Sequence, residues 1–208
     1  MRILAVSDKV VPLLYGPSLR QTVGQVDLVL SCGDLPLYYI DYLASVLDVP
    51  CFLVHGNHAA GAEFEHVNPY QRPPRLFMDL DERTIVARGV ILAGLEGSIR
   101  YNRNPRFQYT QAEMWRKAGR LAAKLAWNRL RYGRSLDILI THSPPAGIHD
   151  GPDPAHQGFE SFLWLMRTFK PRYLLHGHKH VYRPDEVTVT QYGATTVVNV
   201  YPWRIVDL

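Results

Sequence analysis

Two carboxylates, an amide and four imidazoles stand where strand-like apolar runs of this chain end. Asp8 closes LAVSD, Asp34 closes LVLSCGD, Asn57 and His58 close FLVHGNH, His142 closes ILITH, and His178 and His180 close YLLHGHKH. This mixture of oxygen and nitrogen donors suits Mn, Fe, Zn or Ni better than Mg or Ca. The lack of thiolates argues against a structural zinc site. Glycine precedes Asp34, Asn57 and His178, as expected where the backbone turns sharply and comes close to a ligand. In His178-Lys179-His180 an extended backbone would set both rings on one side, because side chains two apart share a face. The two rings would then face two ions of one cluster. Taken singly, an aspartate after a strand is often a helix cap and a buried histidine a satisfied core group. The ordered series is not explained that way. His55 and His176, each just before a motif glycine, are read as structural residues pointing elsewhere.

The elements that position these residues alternate. RILAVS, DLVLSC and PCFLVHG read as short buried strands, with helices around 17–24 and across 38–47 between them. Such alternation indicates a parallel sheet covered on both faces, and in open α/β sheets ligands bind outside the carboxyl ends of the strands. TIVARG and VILAGLEG, joined by a tight glycine turn, predict a hairpin. A long helix over 111–134 follows, with Thr110 and Glu113 as a capping box and Gly133 as its stop. Then come LDILITH, a helix across GFESFLWLMRTF, RYLLHGH and a tail that alternates like antiparallel strands. The fold class is α/β, one domain over residues 1–208, with a parallel centre and antiparallel additions.

The series D…GD…GNH…H…GHxH, in this order from Asp8 to His180, resembles the calcineurin-like metallophosphoesterases. That resemblance implies a four-layer αββα sandwich carrying two divalent transition-metal ions (Mn, Fe or Zn, with Ni an option) at the strand ends. By motif, Asp34 would bridge the ions. Asp8 and His180 would hold the first, and Asn57, His142 and His178 the second. His58 would be the non-ligating histidine that contacts the substrate phosphate and assists the leaving oxygen. The implied reaction is hydrolysis of a phosphomonoester or phosphodiester by a hydroxide activated at the two-metal site.

Three departures from the family pattern matter. Its first motif is DxH, whereas here Asp8-Lys9-Val10 lacks the imidazole, implying a weak first site completed by water. GNHA replaces the usual GNHD or GNHE, so Ala59 cannot orient His58. The tyrosine that serves the purple acid phosphatase branch three residues after the bridging aspartate is Leu37 here, with Tyr38 and Tyr39 just beyond.

Substrate contacts are less legible. The loop over 143–159 carries His149 and His156 among prolines and glycines, directly after His142, and is a candidate rim. Tyr101, Arg103, Arg106 and Tyr109 form a second candidate, with Arg103 suited to phosphate. The expected substrate is a phosphorylated small molecule or a nucleotide. Seven Lys/Arg and no acid between Trp115 and Ser135 leave nucleic acid open as a partner, through a nuclease using the basic helix 111–134. A solvated helix face is the blander reading, favoured because interleaved aromatics are few. The remaining rival is a non-catalytic metal-binding scaffold, as in the retromer subunit of this fold. No run approaches the ~20 apolar residues of a membrane span, so no membrane partner is expected. The opening apolar stretch is too short for a signal peptide, and Cys32 and Cys51 sit in apolar runs as buried thiols. The expected address is cytoplasmic.

Overall fold

The structure, a computed structural model, describes residues 1–58, 76–103 and 106–208. Its first sheet has β1 (Arg2–Val6), β2 (Leu28–Ser31), β3 (Cys51–Leu53) and β4 (Phe77–Asp79) side by side and parallel. β13 (Trp203–Asp207) lies antiparallel along the free side of β1. The second sheet is built from β5 (Thr84–Ala87), β6 (Val90–Leu95), β9 (Ile138–Thr141), β10 (Tyr173–His176), β11 (Val189–Tyr192) and β12 (Thr195–Asn199), in the order β11-β12-β10-β9-β6-β5. β6, β9, β10 and β12 are parallel, and the two outer strands are antiparallel. β7 (Ser98–Ile99) and β8 (Gln108–Tyr109) form a short separate pair.

Near-continuous apolar strands need cover on both faces, and each finds it. Alternate residues of β1 and β2 divide between two cores. Ile3, Ala5, Leu28 and Leu30 meet Leu92, Ile138, Ile140 and Leu175 of the second sheet. Leu4, Val6 and Val29 pack under α1 (Leu19–Val23) and α2 (Leu37–Leu47). Beyond the second sheet, Ala93, Leu139 and Leu174 lie under α3 (Gln111–Tyr132) and α4 (Glu160–Phe169). Two sheets between two helical layers make the expected αββα sandwich. Each wholly buried Leu or Ile contributes about 1.5–3 kcal/mol by leaving water.

The capping box of α3 is formed. The Thr110 hydroxyl accepts from Glu113 N–H, the Glu113 carboxylate accepts from Thr110 N–H at 2.7 Å, and Gly133 ends the helix at φ 74°. Two expectations need correction. The helix over 17–24 forms only across Leu19–Val23, because Gly16 and Pro17 interrupt the entry and Gly24, at φ 69°, stops the exit. The tail is antiparallel only in part: β12 pairs in parallel with β10, and β13 crosses to the first sheet. Alternation marks a half-buried strand but does not name its neighbour. Both cysteines are buried and unbridged, and no helix among the described residues is long and apolar enough to cross a membrane.

Candidate metal centre

The backbone at the strand ends is bent for a purpose. Asp8, Asp34 and His178 all sit in the left-handed region, at φ 62°, 55° and 64°. Non-glycine residues visit this region rarely, and such strain concentrates at functional sites. Each bend turns a donor away from its strand and over the sheet edge. The three motif glycines complete the cradle. A Cβ on Gly33 would stand 2.6 Å from Nδ1 of His142, one on Gly56 would overlap the Asp34 carboxylate, and one on Gly177 would overlap Ser7 and Asp8.

Hydrogen-bond partners assign the ring tautomers. Nδ1 of His142 donates to the Cys32 carbonyl at 2.8 Å, and Nε2 of His178 donates to the Ala155 carbonyl at 2.7 Å. The remaining nitrogens, Nε2 of His142 and Nδ1 of His178, then face each other 3.1 Å apart with lone pairs. Asn57 Oδ1 lies 2.9 Å and Asp34 Oδ2 3.3 Å from the former. The Asn57 amide is oriented by Nδ2, which donates to the Tyr101 hydroxyl at 3.0 Å. Four acceptors crowd one point, and either a cation or a proton must sit among them. Fixing the far nitrogen of a histidine by a carbonyl is how metal-ligating rings are held.

Electrostatics agree. Burial opposes charge on His142, but the Asp34 and Asp8 carboxylates overcome it and lift its pKa to about 9. The metal-free protein thus keeps a proton where a cation would go. His178, depressed to about 4 by burial and by the His142 charge, stays neutral. Burial pulls Asp8 upward, yet hydrogen bonds from His180, Ser7 and the His178 N–H, with the His142 charge, hold it below the usual carboxylate range. His180 Nε2 lies 3.6 Å from Asp8 Oδ1, and the His180 ring is carried between the Tyr182 hydroxyl and the stacked ring of Tyr201. Asp8, Asp34 and His142 offer ligand atoms within 4.8 Å of one another. The donor set fits divalent transition-metal ions.

Above these donors opens a cleft of about 300 Å³, and His58, Tyr101 and His156 join the donors in lining it. The backbone N–H of His58 donates to Asp34 Oδ1 at 2.9 Å.

A sequence profile of the calcineurin-like phosphoesterases matches residues 2–182. The chain belongs to that family. Family membership carries metal-dependent hydrolysis of phosphate esters as its general activity. Among solved structures, TT1561 of Thermus thermophilus is similar with a TM-score of 0.63 at 19% identity, over 96% of this chain and 88% of that one. At that identity the likeness speaks for the fold alone. A Vps29 mutant from Entamoeba histolytica (TM-score 0.42, 12% identity, 96% and 73% covered) and a diphosphatase of the PhnP family (0.38, 13%, 99% and 79%) are too distant to carry weight. No curated protein matches the chain.

The departures from the family pattern acquire places. Val10 packs against the core under α1 and α2, with its side chain among apolar neighbours. Tyr38 meets the Tyr15 ring edge-on, Tyr39 is buried in the core under α1 and α2, and neither lines the cleft. Ala59 lies outside the described residues. Of the residues read as substrate contacts, His156 reaches the cleft but His149 does not: its ring turns inward to His176 and Thr190. Arg103 is exposed and is not among the cleft's lining residues. Tyr109 donates instead to Glu96. His55 and His176 do point elsewhere, His55 toward Asp79 and His176 into the interior.

The basic helix is not simply a solvated face. Lys117 is buried, 2.6 Å from Asp81, 3.0 Å from Glu82 and 3.6 Å from Glu96, while Arg120 pairs with Glu82. Aromatics are present as well, with Trp127 and Tyr132 exposed. At ~1.5 Å per residue α3 runs roughly 33 Å, with Glu113 of its first turn beside Arg100, and Arg134, just past its end, beside Gly89 at the start of β6. Its terminal arginines therefore lie at the end of the sheet opposite the cleft. Sequence reasoning missed Tyr182, Tyr201 and the Ala155 carbonyl. Tyr182, two residues after His180, had a same-face spacing that would have found it.

Proposed function

We propose that this protein hydrolyses a phosphate ester at a two-metal site, acting on a phosphorylated small molecule or nucleotide. Asp34 would serve both ions, Asp8 and His180 would help hold the first, and Asn57, His142 and His178 would help hold the second. When bound, the ions supply Lewis acidity and water acidified enough to attack near neutral pH. The chain's own residues do the rest. Asp34 is fixed by the His58 N–H, Asn57 by Tyr101, and the two second-site imidazoles by the Cys32 and Ala155 carbonyls. His58 hydrogen-bonds the phosphoryl group or the leaving oxygen from the open side of the cleft.

The observation that carries this reading is the convergence of four ligand atoms, Nε2 of His142, Nδ1 of His178, Asn57 Oδ1 and Asp34 Oδ2, on one point that a proton or a cation must fill. A cleft of about 300 Å³ is at the small end of small-molecule pockets. The far placement of Arg129, Arg131 and Arg134 does not favour a nuclease working along α3. With Val10 turned into the core, the first site keeps three protein ligands against four in the second, so the second ion binds more tightly. The test is a metal titration of chelated protein with Mn²⁺, by calorimetry and by turnover of a panel of phosphomonoesters and diesters. Two ions of unequal affinity, with turnover rising as the weaker site fills, are expected. Asp34→Asn should abolish turnover in a folded protein. Wild-type turnover in that variant, with every ester tested, would remove the two-metal reading.

A further inference from the structure

We infer that His149 is a positioning residue for His178, acting through the loop that joins β9 to α4. This rests on His178 being a second-site ligand as proposed above. His149 stands in the left-handed region at φ 57°, which turns its ring into the protein and away from the cleft. There Nδ1 lies 2.9 Å from Nε2 of His176, and Nε2 lies 2.9 Å from the Thr190 hydroxyl. His176 is wholly buried, with Nδ1 3.0 Å from the Gly177 carbonyl. Its proton therefore sits on Nδ1, and its Nε2 accepts from His149. Thr190 in turn donates to His149. One nitrogen of each ring accepts and the other donates, so each ring carries a single proton. The chain of three hydrogen bonds has one direction and no spare proton.

What His149 anchors is stiff. Asp150 gathers the Gly147 and Gly158 N–H groups at 2.9 and 3.3 Å, closing the base of the loop. Gly151 N–H donates to the His156 carbonyl at 2.8 Å. Asp153 accepts from the Ala155 and His156 N–H groups and holds Nδ1 of His156 at 2.8 Å. A Cβ on Gly158 would overlap Pro145, so the loop's end also touches its start. The product of this bracing is a single placed carbonyl. Ala155 O stands 2.7 Å from Nε2 of His178 and thereby selects the tautomer that leaves Nδ1 for the ion. The His156 ring rests against His178 at 5.1 Å between centroids. A leucine in place of His149 would fill space but leave His176 Nε2 buried and unpaired, a costly state. The anchor would then let go.

The test reads the tautomer directly. Nitrogen-15 histidine spectra of chelated full-length protein should show His178 as the Nε2–H form in the wild type. In His149→Leu that form should give way to a mixture, with Mn²⁺ affinity at the tight site down about 10–100-fold, the range for losing a ligand's supporting partner. KM should stay near wild type while kcat falls. His149→Gln, which can bond both His176 and Thr190, should restore most of the loss. If His149→Leu does not fold, Thr190→Val removes only the outer hydrogen bond and should shift the same signals in the same direction. An unchanged His178 tautomer in a folded variant overturns the assignment. So does a raised KM with metal affinity intact, which would make His149 a substrate contact. Because the tautomer is read without metal or substrate, a wild type that hydrolyses nothing would count against the proposed function and not against this one.

Discussion

Raising the pH should tighten metal binding by expelling one identifiable proton. His142 is fully buried, and its pKa is raised from the ordinary 6.5 to about 9 by Asp34 and Asp8 against the pull of burial. An ion at the second site needs Nε2 unprotonated, so it must displace that proton. At pH 7 the competition weakens apparent affinity by about 100-fold, tenfold for each of the two pH units below 9. His178 is already neutral and releases nothing. The same proton stabilises the metal-free fold. A folded pKa above the unfolded value gives stability that is complete below about pH 6.5 and is lost as pH climbs to about 9. The size, from 6.5 to about 9, is about 3 kcal/mol. Calorimetry of chelated protein with Mn²⁺, in paired buffers of different ionisation heat, counts the proton. Urea melts of the metal-free protein between about pH 6.5 and 9 read the stability. About one proton per tightly bound ion near pH 7 is expected, with affinity rising about tenfold per pH unit. A flat affinity with no proton released would show that the ion does not take the place of the His142 proton, and the site geometry would have to be reassigned.

His58→Ala should retain both ions and lose about 10²–10⁴ of kcat, the usual worth of a positioned acid–base group; His142→Ala should instead lose the tight ion, as metal analysis will report. Lys117→Met leaves Asp81, Glu82 and Glu96 clustered without their central cation. Removing one partner of a buried ion pair costs about 3–5 kcal/mol, so its urea midpoint should fall steeply at neutral pH and recover partly in mild acid, where Glu96, raised to about 7 by burial and Asp81, takes up a proton.

Why the candidate donors are legible in the sequence and their supports are not is a matter of range. Asp8, Asp34, Asn57, His142, His178 and His180 each end an apolar run, and the strand-then-chemistry rhythm is local. The glycines before Asp34, Asn57 and His178 announce close approach, and the structure shows another candidate donor pressed against each. The α3 capping box lies within four residues and was equally plain. By contrast, Tyr201 reaches His180 only because the tail crosses between sheets. Lys117 looked like one of seven surface cations until β5 and β6 brought carboxylates over it. His149 misled for a related reason: its loop follows a ligand, but its left-handed backbone sends the ring inward. Periodicity does not encode the sign of φ in a residue other than glycine.

The two sheets do not contribute alike to the centre. Asp8, Asp34 and Asn57, its oxygen donors, follow β1, β2 and β3 of the first sheet, while His142, His178 and His180, its nitrogen donors, follow β9 and β10 of the second. Ions held as proposed would therefore act as a clasp across the seam where Ile3, Leu30, Ile140 and Leu175 meet. They would bind the docked pair and not the parted one, and at about a hundredfold excess over Kd they would add about 2.7 kcal/mol to its hold. The dependence also runs the other way. A breath that slides one sheet past the other by a fraction of a bond length would pull the oxygen half of each coordination shell from the nitrogen half. Loosening the seam would let the ions go while every strand is still hydrogen-bonded to its neighbours.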